Sequence, residues 1–358
     1  MNKQPERLST PAAPLSGISE GGDTNPCNEE VVTKNQPTRA IDADEATRLL
    51  PMDELIRHLR DFFVRGCDVP PRHHHTIPVP GEPDATLLLM PSWQQKSENG
   101  GLLGVKLVTV FPGNAARKMP ALTSVYLLFD SGTGTQLATI AGDVLTARRT
   151  VATSALAASY LAREDATTLL VLGSGRIASL LPEAYRAVRD IRRIGVWNVN
   201  AGSAARLVNR LHESGMNAAV VSDLEQAVRT ADIVTSATLA TAPLIKGDWL
   251  QAGVHVDLIG AFTPAMRESD DETLRRSSVF VDTYEAAHEA GDLVHPIETG
   301  ILSRQDLKGS LAELCSGAVR GRRSGDEITL FKAVGTALAD LATAGLVYKG
   351  GSVEIPVR

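Results

Sequence analysis

Residues 167–178 read TTLLVLGSGRIA, and this stretch decides the fold class. The apolar run LLVL is typical of a strand that is buried on both faces of a parallel sheet. Gly173, Gly175 and Ala178 then follow the spacing GxGxx(G/A). The first glycine permits a tight turn, the second lets the backbone approach a pyrophosphate, and the alanine lets a helix pack close to the strand. The stretch therefore predicts a strand, a phosphate-binding turn and a helix N-terminus.

We expect a dinucleotide to contact this turn and the ends of neighbouring strands. Asn198 follows the second strand, where an Asp or Glu would bind both ribose hydroxyls of NAD. A neutral amide can donate to a 2′-phosphate instead, which favours NADP(H) over NAD(H). No arginine directly follows it, and Arg206 is a helical turn or more away. The predicted cofactor contacts are Gly173, Ser174, Gly175, Arg176, Ile177, Ala178, Asn198, Thr235 and Ala237.

Strand and helix patterns alternate on the C-terminal side of this stretch. Apolar runs recur at IGVWNV, NAAVV, DIVTSAT, HVDLIGA and VFVDT, with helical patterns between them at 176–189, ARLVNRLHESG and LEQAVRTA. Such alternation predicts a doubly wound parallel sheet over roughly 165–300. The segment 328–349, ITLFKAVGTALADLATAGLVYK, has the spacing of one long amphipathic helix.

The N-terminal side has a different pattern. Between residues 86 and 139 the runs TLLLM, GVKLVTVF, TSVYLLF and QLATI are separated by turn signals, which predicts an antiparallel sheet. The alanine-rich stretch 146–162 predicts a helix. Order is expected to begin near Ile41, and residues 1–37 have the composition of a disordered tail.

Composition excludes several classes of protein. The 358 residues suggest two domains, and 43% hydrophobic and 22% charged residues are ordinary for a soluble protein. The net charge of −6 and the pI of about 5.8 argue against a nucleic-acid-binding role. No apolar run is long enough for a membrane helix. Three widely spaced cysteines give neither a disulfide framework nor a CxxC site, so we expect a cytoplasmic protein.

Three cations lie where a protein core would not select them. Lys106 interrupts an apolar strand, Arg149 lies in a helix of small and apolar residues, and Arg72 follows Pro70-Pro71. A single lysine in a strand is commonly a solvated edge residue. Arginine, however, is suited to bidentate recognition of a carboxylate. The three together favour a small carboxylate substrate bound opposite the dinucleotide.

The run His73-His74-His75 does not predict a metal site. Consecutive residues of an extended segment point to opposite faces, so the three rings cannot easily converge on one ion. We interpret these histidines as loop or surface residues and expect no metal. His255 and Asp257 are interpreted as packing and strand-end residues.

Several long stretches resemble the ornithine cyclodeaminase/mu-crystallin family, from about Ile41 to the C-terminus. They are GVKLVTVFPGN (104–114), LLFDSGTGTQLATIAGDVLTARRTVATSALAASYLAR (127–163), VLGSGRIA (171–178) and TLFKAVGTALADLATA (329–344). The resemblance implies a homodimer and an α/β fold in which a Rossmann-type sheet is inserted into an α+β substrate and dimerisation domain. The implied bounds are 38–150 with 325–358 for the substrate domain and 151–324 for the NAD(P)-binding domain.

Residues carried over from the family support this interpretation and narrow it. Arg72, Lys106 and Arg149 match its carboxylate-binding positions. The threonine of the family's GLPT-like segment is not reproduced, since Met119-Pro120-Ala121 stands there, with Thr123 as a substitute. The aspartate that handles the amino group in cyclodeaminases is replaced by Phe262, and the glutamate near the distal amine by Leu88.

A phenyl ring and an isobutyl group can neither accept a proton nor pair with an ammonium group. The resemblance therefore implies an NAD(P)H-dependent reductase of a cyclic ketimine carboxylate, Δ1-pyrroline-2-carboxylate or Δ1-piperideine-2-carboxylate, that yields proline or pipecolate. Arg72 and Arg149 would hold the carboxylate, and Lys106 would assist them or relay a proton. Alternatives remain open: alanine dehydrogenase, opine-type condensation, ornithine cyclodeamination, or a non-catalytic mu-crystallin-like protein that binds NADPH and a small ligand.

Overall fold

The computed structural model describes residues 38–95 and 100–350, and the predicted disordered tail (1–37) lies outside them. Two β-sheets and the helices packed on them make up this part of the chain. None of its helices is both long and apolar enough to cross a bilayer. The predicted α/β class is confirmed.

The first sheet has six strands in the order β1-β6-β5-β4-β3-β2. Strands β3 to β6 pair in antiparallel fashion, as the turn signals between residues 86 and 139 predicted. Strand β2, which lies outside that range, also pairs with β3 in antiparallel fashion, whereas β1 pairs with β6 in parallel. The strands are β1 (Arg39–Ile41), β2 (His73–Ile77), β3 (Ala85–Trp93), β4 (Leu102–Val110), β5 (Leu122–Asp130) and β6 (Gln136–Ala141).

The second sheet has eight parallel strands in the order β13-β12-β14-β11-β10-β7-β8-β9. They are β7 (Thr168–Leu172), β8 (Arg193–Trp197), β9 (Ala218–Val220), β10 (Ile233–Ser236), β11 (His255–Leu258), β12 (Ser278–Val281), β13 (Gly309–Ser310) and β14 (Thr329–Lys332). The order reverses between β7 and β10, so a crevice opens beyond their carboxyl ends, where ligands of such sheets bind.

Eleven α-helices in the described residues connect and cover these sheets. They are α1 (Ala43–Arg48), α2 (Met52–Arg65), α3 (Gly142–Leu161), α4 (Arg176–Arg186), α5 (Ala201–Glu213), α6 (Leu224–Thr230), α7 (Asp271–Arg275), α8 (Ala286–Glu289), α9 (Gly291–Glu298), α10 (Leu311–Ser316) and α11 (Ala337–Tyr348). Helix α3 contacts strands of both sheets, and α11 packs on α2, α3 and the six-stranded sheet. The two helices therefore bring side chains of both sheets together.

The predicted single helix over 328–349 is wrong. Its first part is the buried strand β14, which pairs with β11 and β12, and only Ala337–Tyr348 is helical. An apolar run that is buried on both faces has no alternation, so periodicity does not separate it from a buried helix. Gly335, with φ of +83°, and the N-cap Thr336 separate the two elements. The Rossmann sheet thus includes residues 329–332, beyond the expected domain bound of 324.

Candidate active site

The predicted phosphate turn lies between β7 and α4, at the reversal of strand order. Gly173 has φ of +110°, and a Cβ on it would lie 2.7 Å from the carbonyl oxygen of Ala237. Only glycine fits this backbone. Gly175 is the exposed N-cap of α4, and a Cβ there would meet open space. The first turn of a helix has N–H groups without intrahelical partners, so this end of α4 can hold the phosphates of a dinucleotide.

The other predicted cofactor contacts divide into two groups. Ser174, Arg176 and Ile177 are exposed or half-buried at this turn, and the Arg176 guanidinium lies 3.2 Å from a carboxylate oxygen of Asp143. Thr235 is different. It is wholly buried, and its hydroxyl donates to Asp257 at 2.6 Å. Its hydroxyl is therefore committed to Asp257, and a cofactor contact of Thr235 stays a prediction.

Ala237 and Ala178 fix the turn by packing and backbone contacts. The Ala237 N–H donates to the carbonyl oxygen of Leu172 at 2.9 Å, so the end of β10 is joined to the end of β7. Ala178 is fully buried, and its Cβ lies 3.6 Å from the position of a Cβ on Gly173. A larger side chain at residue 178 would push α4 away from the strand.

Asn198 lies just after β8, where the adenosine ribose of a dinucleotide is bound in this fold. Its amide donates to the carbonyl oxygen of Asn200 at 3.2 Å, and Asn200 caps α5. The Arg206 side chain folds back along α5, so that its guanidinium donates to the Ser203 hydroxyl at 2.6 Å. Arg206 is a helical turn beyond this site in sequence, but its side chain reaches back over that turn. Its positive charge therefore lies at the first turn of α5.

Lys106 and Arg149 meet at one buried carboxylate. Lys106 Nζ lies 2.7 Å from Asp340 Oδ2, and Arg149 Nε donates to Asp340 Oδ1 at 2.8 Å. Lys106 is 2% exposed, Arg149 5% and Asp340 0%. They come from β4, α3 and α11. Lys106 is therefore no solvated edge residue but a member of a buried charge cluster.

Arg72 joins this cluster through the turn before α11. It donates to the carbonyl oxygen of Gly335 at 2.9 Å, and its guanidinium lies 3.4 Å from Glu289. On the same glycine, the position of a Cβ lies 2.5 Å from Arg149 Nη1. Gly335 thus touches both arginines, and a side chain at this residue would displace one of them.

Asp282, which belongs to the eight-stranded sheet side of the site, fixes the turn at Gly335 by hydrogen bonds. It follows β12, and one of its oxygens accepts the N–H groups of Val334 and Gly335 at 3.0 and 2.6 Å. Burial raises the pKa of Asp282, although these N–H groups and the positive charge of Arg149 oppose the shift. The carboxyl end of β12 is therefore joined to the residue against which both arginines lie.

The protonation of the cluster follows from its burial and its charges. Burial lowers the pKa of Lys106 to about 8; Asp340 raises this pKa, and Arg149 and Arg72 lower it further. Burial alone would raise the pKa of Asp340, but the charges of Arg149 and Lys106 outweigh burial and lower it. Lys106 and Arg149 thus share one carboxylate, so this buried group carries an excess of positive charge, while Glu289 faces Arg72 and Asp282 faces Arg149.

A cavity of about 490 Å³ adjoins the cluster. Its wall includes Arg72, Met90, Gly335 and Thr336, together with the end of β12. Met90 is the register partner of Lys106, and Arg149 lies against Gly335, so each buried cation neighbours a residue of this wall. A small carboxylate can therefore approach positive charge at the carboxyl edge of the Rossmann sheet.

Phe262 and Leu88, expected at the acidic positions of cyclodeaminases, lie in different parts of the fold. Phe262 follows β11 at the same carboxyl edge and is 49% exposed. Leu88 lies in β3, opposite His74 and Val108. Thr123, the expected substitute for the family's threonine, lies in β5 and forms a hydrogen bond with the hydroxyl of Thr109 at 2.8 Å.

The three consecutive histidines lie in strand β2 rather than in a loop, and all are exposed, as expected of surface residues. The rings of His73 and His75 are 6.4 Å apart, while His74 lines the cavity. In the described residues no group of three or more His, Cys, Asp or Glu side chains is arranged to hold a metal ion. His255 and Asp257 are fully buried in β11, and Asp257 accepts hydrogen bonds from the hydroxyls of Ser154, Tyr185 and Thr235.

Sequence reasoning missed Asp340, Gly335 and Asp282. A signal for Asp340 was present, because it is the only charged residue between Ala337 and Tyr348 in a helix otherwise made mostly of small and apolar side chains. A carboxylate in such a helix requires a buried cation as its partner. The roles of Gly335 and Asp282 depend on long-range contacts that no local pattern reveals.

Comparisons with known proteins show the family of this chain. The model of the ornithine cyclodeaminase/mu-crystallin family matches residues 43–352. The Δ1-pyrroline-2-carboxylate reductase of Paracoccus denitrificans is 40% identical over 287 residues, which are 78% of this chain and 90% of that protein. The structure of the Thermococcus litoralis Δ1-pyrroline-2-carboxylate reductase in complex with NADH and L-proline has a TM-score of 0.81 and 32% identity over 87% of this chain and 97% of the other. An archaeal alanine dehydrogenase dimer with bound NAD has a TM-score of 0.80 and 28% identity over 87% and 95% of the two chains.

Proposed function

The chain belongs to the ornithine cyclodeaminase/mu-crystallin family, and on that premise we propose that it is an NAD(P)H-dependent reductase of a cyclic ketimine carboxylate. Δ1-Pyrroline-2-carboxylate is the first substrate to test, with Δ1-piperideine-2-carboxylate as its six-membered counterpart, and the products are L-proline and L-pipecolate. The relatives named above as reductases of this imine support the proposal.

The observation that carries the proposal is the excess of positive charge around Asp340. Lys106 and Arg149 share this one carboxylate, and Arg72 reaches the same turn. A buried group of cations with too few anions is stabilised by an anionic ligand. The substrate carboxylate supplies that charge, and Arg72 and Arg149 orient it so that the imine carbon faces the crevice beyond β7 and β10.

The replacement of two carboxylates of the cyclodeaminases by Phe262 and Leu88 favours imine reduction over cyclodeamination. At the two positions where cyclodeaminases carry acidic residues, Phe262 and Leu88 offer no acceptor for an ammonium group, which favours an imine without a free distal amine over ornithine. When bound, the reduced nicotinamide supplies the hydride that the imine carbon accepts. Lys106 is proposed as the catalytic residue, because its ammonium group can donate a proton to the imine nitrogen from the side on which Arg72 and Arg149 hold the carboxylate.

The dinucleotide is held by the turn from Gly173 to Ala178. The open space over Gly175 and the N–H groups of the first turn of α4 fit a pyrophosphate. At the ribose, a neutral Asn198 and the guanidinium of Arg206 at the first turn of α5 favour NADPH over NADH. The related structures with NADH and NAD make NADH the alternative to be compared.

Assembly and location complete the proposal. An archaeal alanine dehydrogenase of this fold is a dimer, and we propose a homodimer for this chain as well. The cytoplasmic location stays a prediction, as do the expected domain bounds other than residue 324, beyond which β14 belongs to the Rossmann sheet.

The deciding experiment follows NADPH absorbance, and separately NADH absorbance, with freshly generated Δ1-pyrroline-2-carboxylate near pH 6 and pH 7.5. Turnover with L-proline as the product supports the proposal, and a lower activity with NADPH after Arg206→Ala supports the cofactor preference. Cofactor binding without oxidation would contradict the proposed reaction. Oxidation only with pyruvate and ammonia would indicate an alanine dehydrogenase, and ammonia release from ornithine a cyclodeaminase.

A further inference from the structure

Asp340 is a buried carboxylate to which the proposed reaction assigns no role. It lies in the first turn of α11, and its two oxygens contact cations from two other elements, Lys106 of β4 and Arg149 of α3. Each oxygen is committed to one cation, at 2.7 and 2.8 Å respectively. The carboxylate therefore sets the distance between the two cations and the direction in which each of them points.

Asp340 also balances the charges that face Lys106. From α3 Lys106 is faced by Arg149, from the segment before β2 by Arg72, and from α11 by Asp340. On β5 its register partner is Tyr126, which is neutral because burial and the charge of Asp340 raise its pKa well above the ordinary value. Among these groups Asp340 alone carries negative charge, so it alone favours the ammonium form of Lys106.

We propose that Asp340 is a positioning residue of the reaction. It keeps Lys106 protonated and holds Lys106 and Arg149 at the spacing that binds one substrate carboxylate. This inference rests on the proposed function. Asp340 touches no substrate, and it acts only through its two partners. Without its charge, two buried cations would repel each other, and Lys106 would lose its proton at a lower pH.

The pH dependence of kcat/KM gives the test. In the wild type, activity that needs the Lys106 ammonium group falls as the pH rises through its pKa of about 8. Asp340→Asn removes the opposite charge, so the pKa of Lys106 falls and this alkaline limb moves to lower pH, by about one unit or more. We also expect KM for the ketimine to rise about tenfold or more, because the two cations are no longer aligned. The affinity for the cofactor, measured by fluorescence, should stay unchanged.

Two controls separate this effect from a general loss of structure. Lys106→Arg keeps a charge that does not titrate in this range, so the alkaline limb attributed to Lys106 should disappear. Asp292→Asn removes a carboxylate that lies 3.4 Å from Lys332, where both residues are also wholly buried. Asp292→Asn therefore removes a buried ion pair at a distance from Lys106, and the alkaline limb of the kcat/KM profile should stay at the pH of the wild type. An Asp340→Asn enzyme with the limb and KM of the wild type would overturn the proposal.

A second measurement uses the wild-type protein and does not depend on the folding of a variant. The 13Cε signal of Lys106, assigned by its loss in Lys106→Arg, is followed by NMR as the pH is raised. A midpoint at or above about pH 7 supports a lysine kept charged by Asp340, whereas a midpoint below that overturns the proposal, because buried lysines without a partner titrate near pH 5 to 6. If the wild type does not reduce the ketimine, the proposed function fails, and this titration still decides whether Asp340 holds the proton on Lys106.

Discussion

Two buried lysine–aspartate pairs occupy different parts of this molecule, and they differ in how their charges are balanced. Lys106 lies 2.7 Å from Asp340 beside the six-stranded sheet, and Lys332 lies 3.4 Å from Asp292 at the end of β14. All four side chains are almost wholly buried. By burial and residue type alone the two pairs are alike.

Around Lys332 the carboxylates are satisfied by the chain itself. Asp292 accepts the backbone N–H groups of Glu268 and Ser269, at 2.9 and 3.0 Å. The neighbouring Glu268 is also buried, and it accepts hydrogen bonds from Ser236, from Thr238 and from the N–H of Gly260. These contacts fix the loops that follow β10 and β11. The Lys332–Asp292 pair therefore stabilises the fold.

Around Lys106 the balance is reversed, because Arg149 and Arg72 add two positive charges and Asp340 is the shared anion. Part of this positive charge is offset by Glu289, which lies on the half-exposed side of Arg72, and by Asp282, which faces Arg149. The comparison teaches that buried charge as such does not identify a site. An excess of charge of one sign next to a cavity does indicate a candidate site.

The largest effect is expected from Arg149→Ala. Removing one buried partner of a charged ligand costs about 4 kcal/mol, so kcat/KM for the ketimine should fall roughly 10³-fold. The matched control is Arg148→Ala, since Arg148 precedes it in α3, is also buried, and contacts Leu50 and Glu183 instead. Steady-state kinetics of both variants make the comparison. Equal losses in the two would contradict the assignment of Arg149 to the substrate.

A loss of stability is expected instead from Lys332→Met. It leaves Asp292 buried without a cation, which costs roughly 3 kcal/mol in the free energy of unfolding. Urea unfolding measures this loss, and KM for the ketimine should stay within about twofold because no substrate is bound there. A large rise in KM would show that the two pairs are not functionally distinct.

Gly335→Ala tests the turn that joins both arginines. The new Cβ meets the Arg149 guanidinium at a φ of +83°, so we expect about 2 kcal/mol of lost transition-state stabilisation, roughly a 30-fold lower kcat/KM. Gly300→Ala is the control, because Gly300 has a similar φ of +74° and open space around its Cβ position. It measures the backbone cost alone. A kinetic loss of the same size in Gly300→Ala would contradict the steric explanation.

The smallest effect is expected from Glu289→Gln. Glu289 is a partly exposed partner of Arg72 at 3.4 Å, and a substrate carboxylate competes with it for the same guanidinium. Because such ion pairs contribute less than about 1 kcal/mol, KM should fall about two- to fivefold. Titration with L-proline in the presence of the oxidised cofactor gives the affinity directly. A weaker affinity in Glu289→Gln would mean that Glu289 helps to bind the ligand.

The fold was largely predictable from local patterns. The turn Gly173–Ala178, the alternation that follows it and the runs of the antiparallel sheet each carry a local signal, and all three predictions are confirmed. Strand β14 was not predictable in this way, since TLFK is buried on both faces and continues into an apolar helix. Its place between β11 and β12 depends on partners that are distant in sequence.

The candidate site was predictable in its residue types but not in its geometry. Lys106 and Arg149 stood out as cations in apolar surroundings, and the structure joins them. The hydrogen bond of the Thr235 hydroxyl to Asp257 was not predictable, because it depends on the register of β10 against β11. Asp340 had a detectable signal, but its partners are determined only by the packing of α11 on β4 and α3.

The insertion of β14 between β11 and β12 has a consequence for biosynthesis. As the chain leaves the ribosome, β7 to β13 emerge first, and a gap remains between β11 and β12 until residues 329–332 follow. Until then the facing edges of both strands are unpaired, and such edges promote association with other chains. The same late segment brings Gly335 and Asp340, so completion of the sheet and assembly of the charge cluster are one event. A nascent chain that has not reached this point therefore has neither the complete sheet nor the charge cluster.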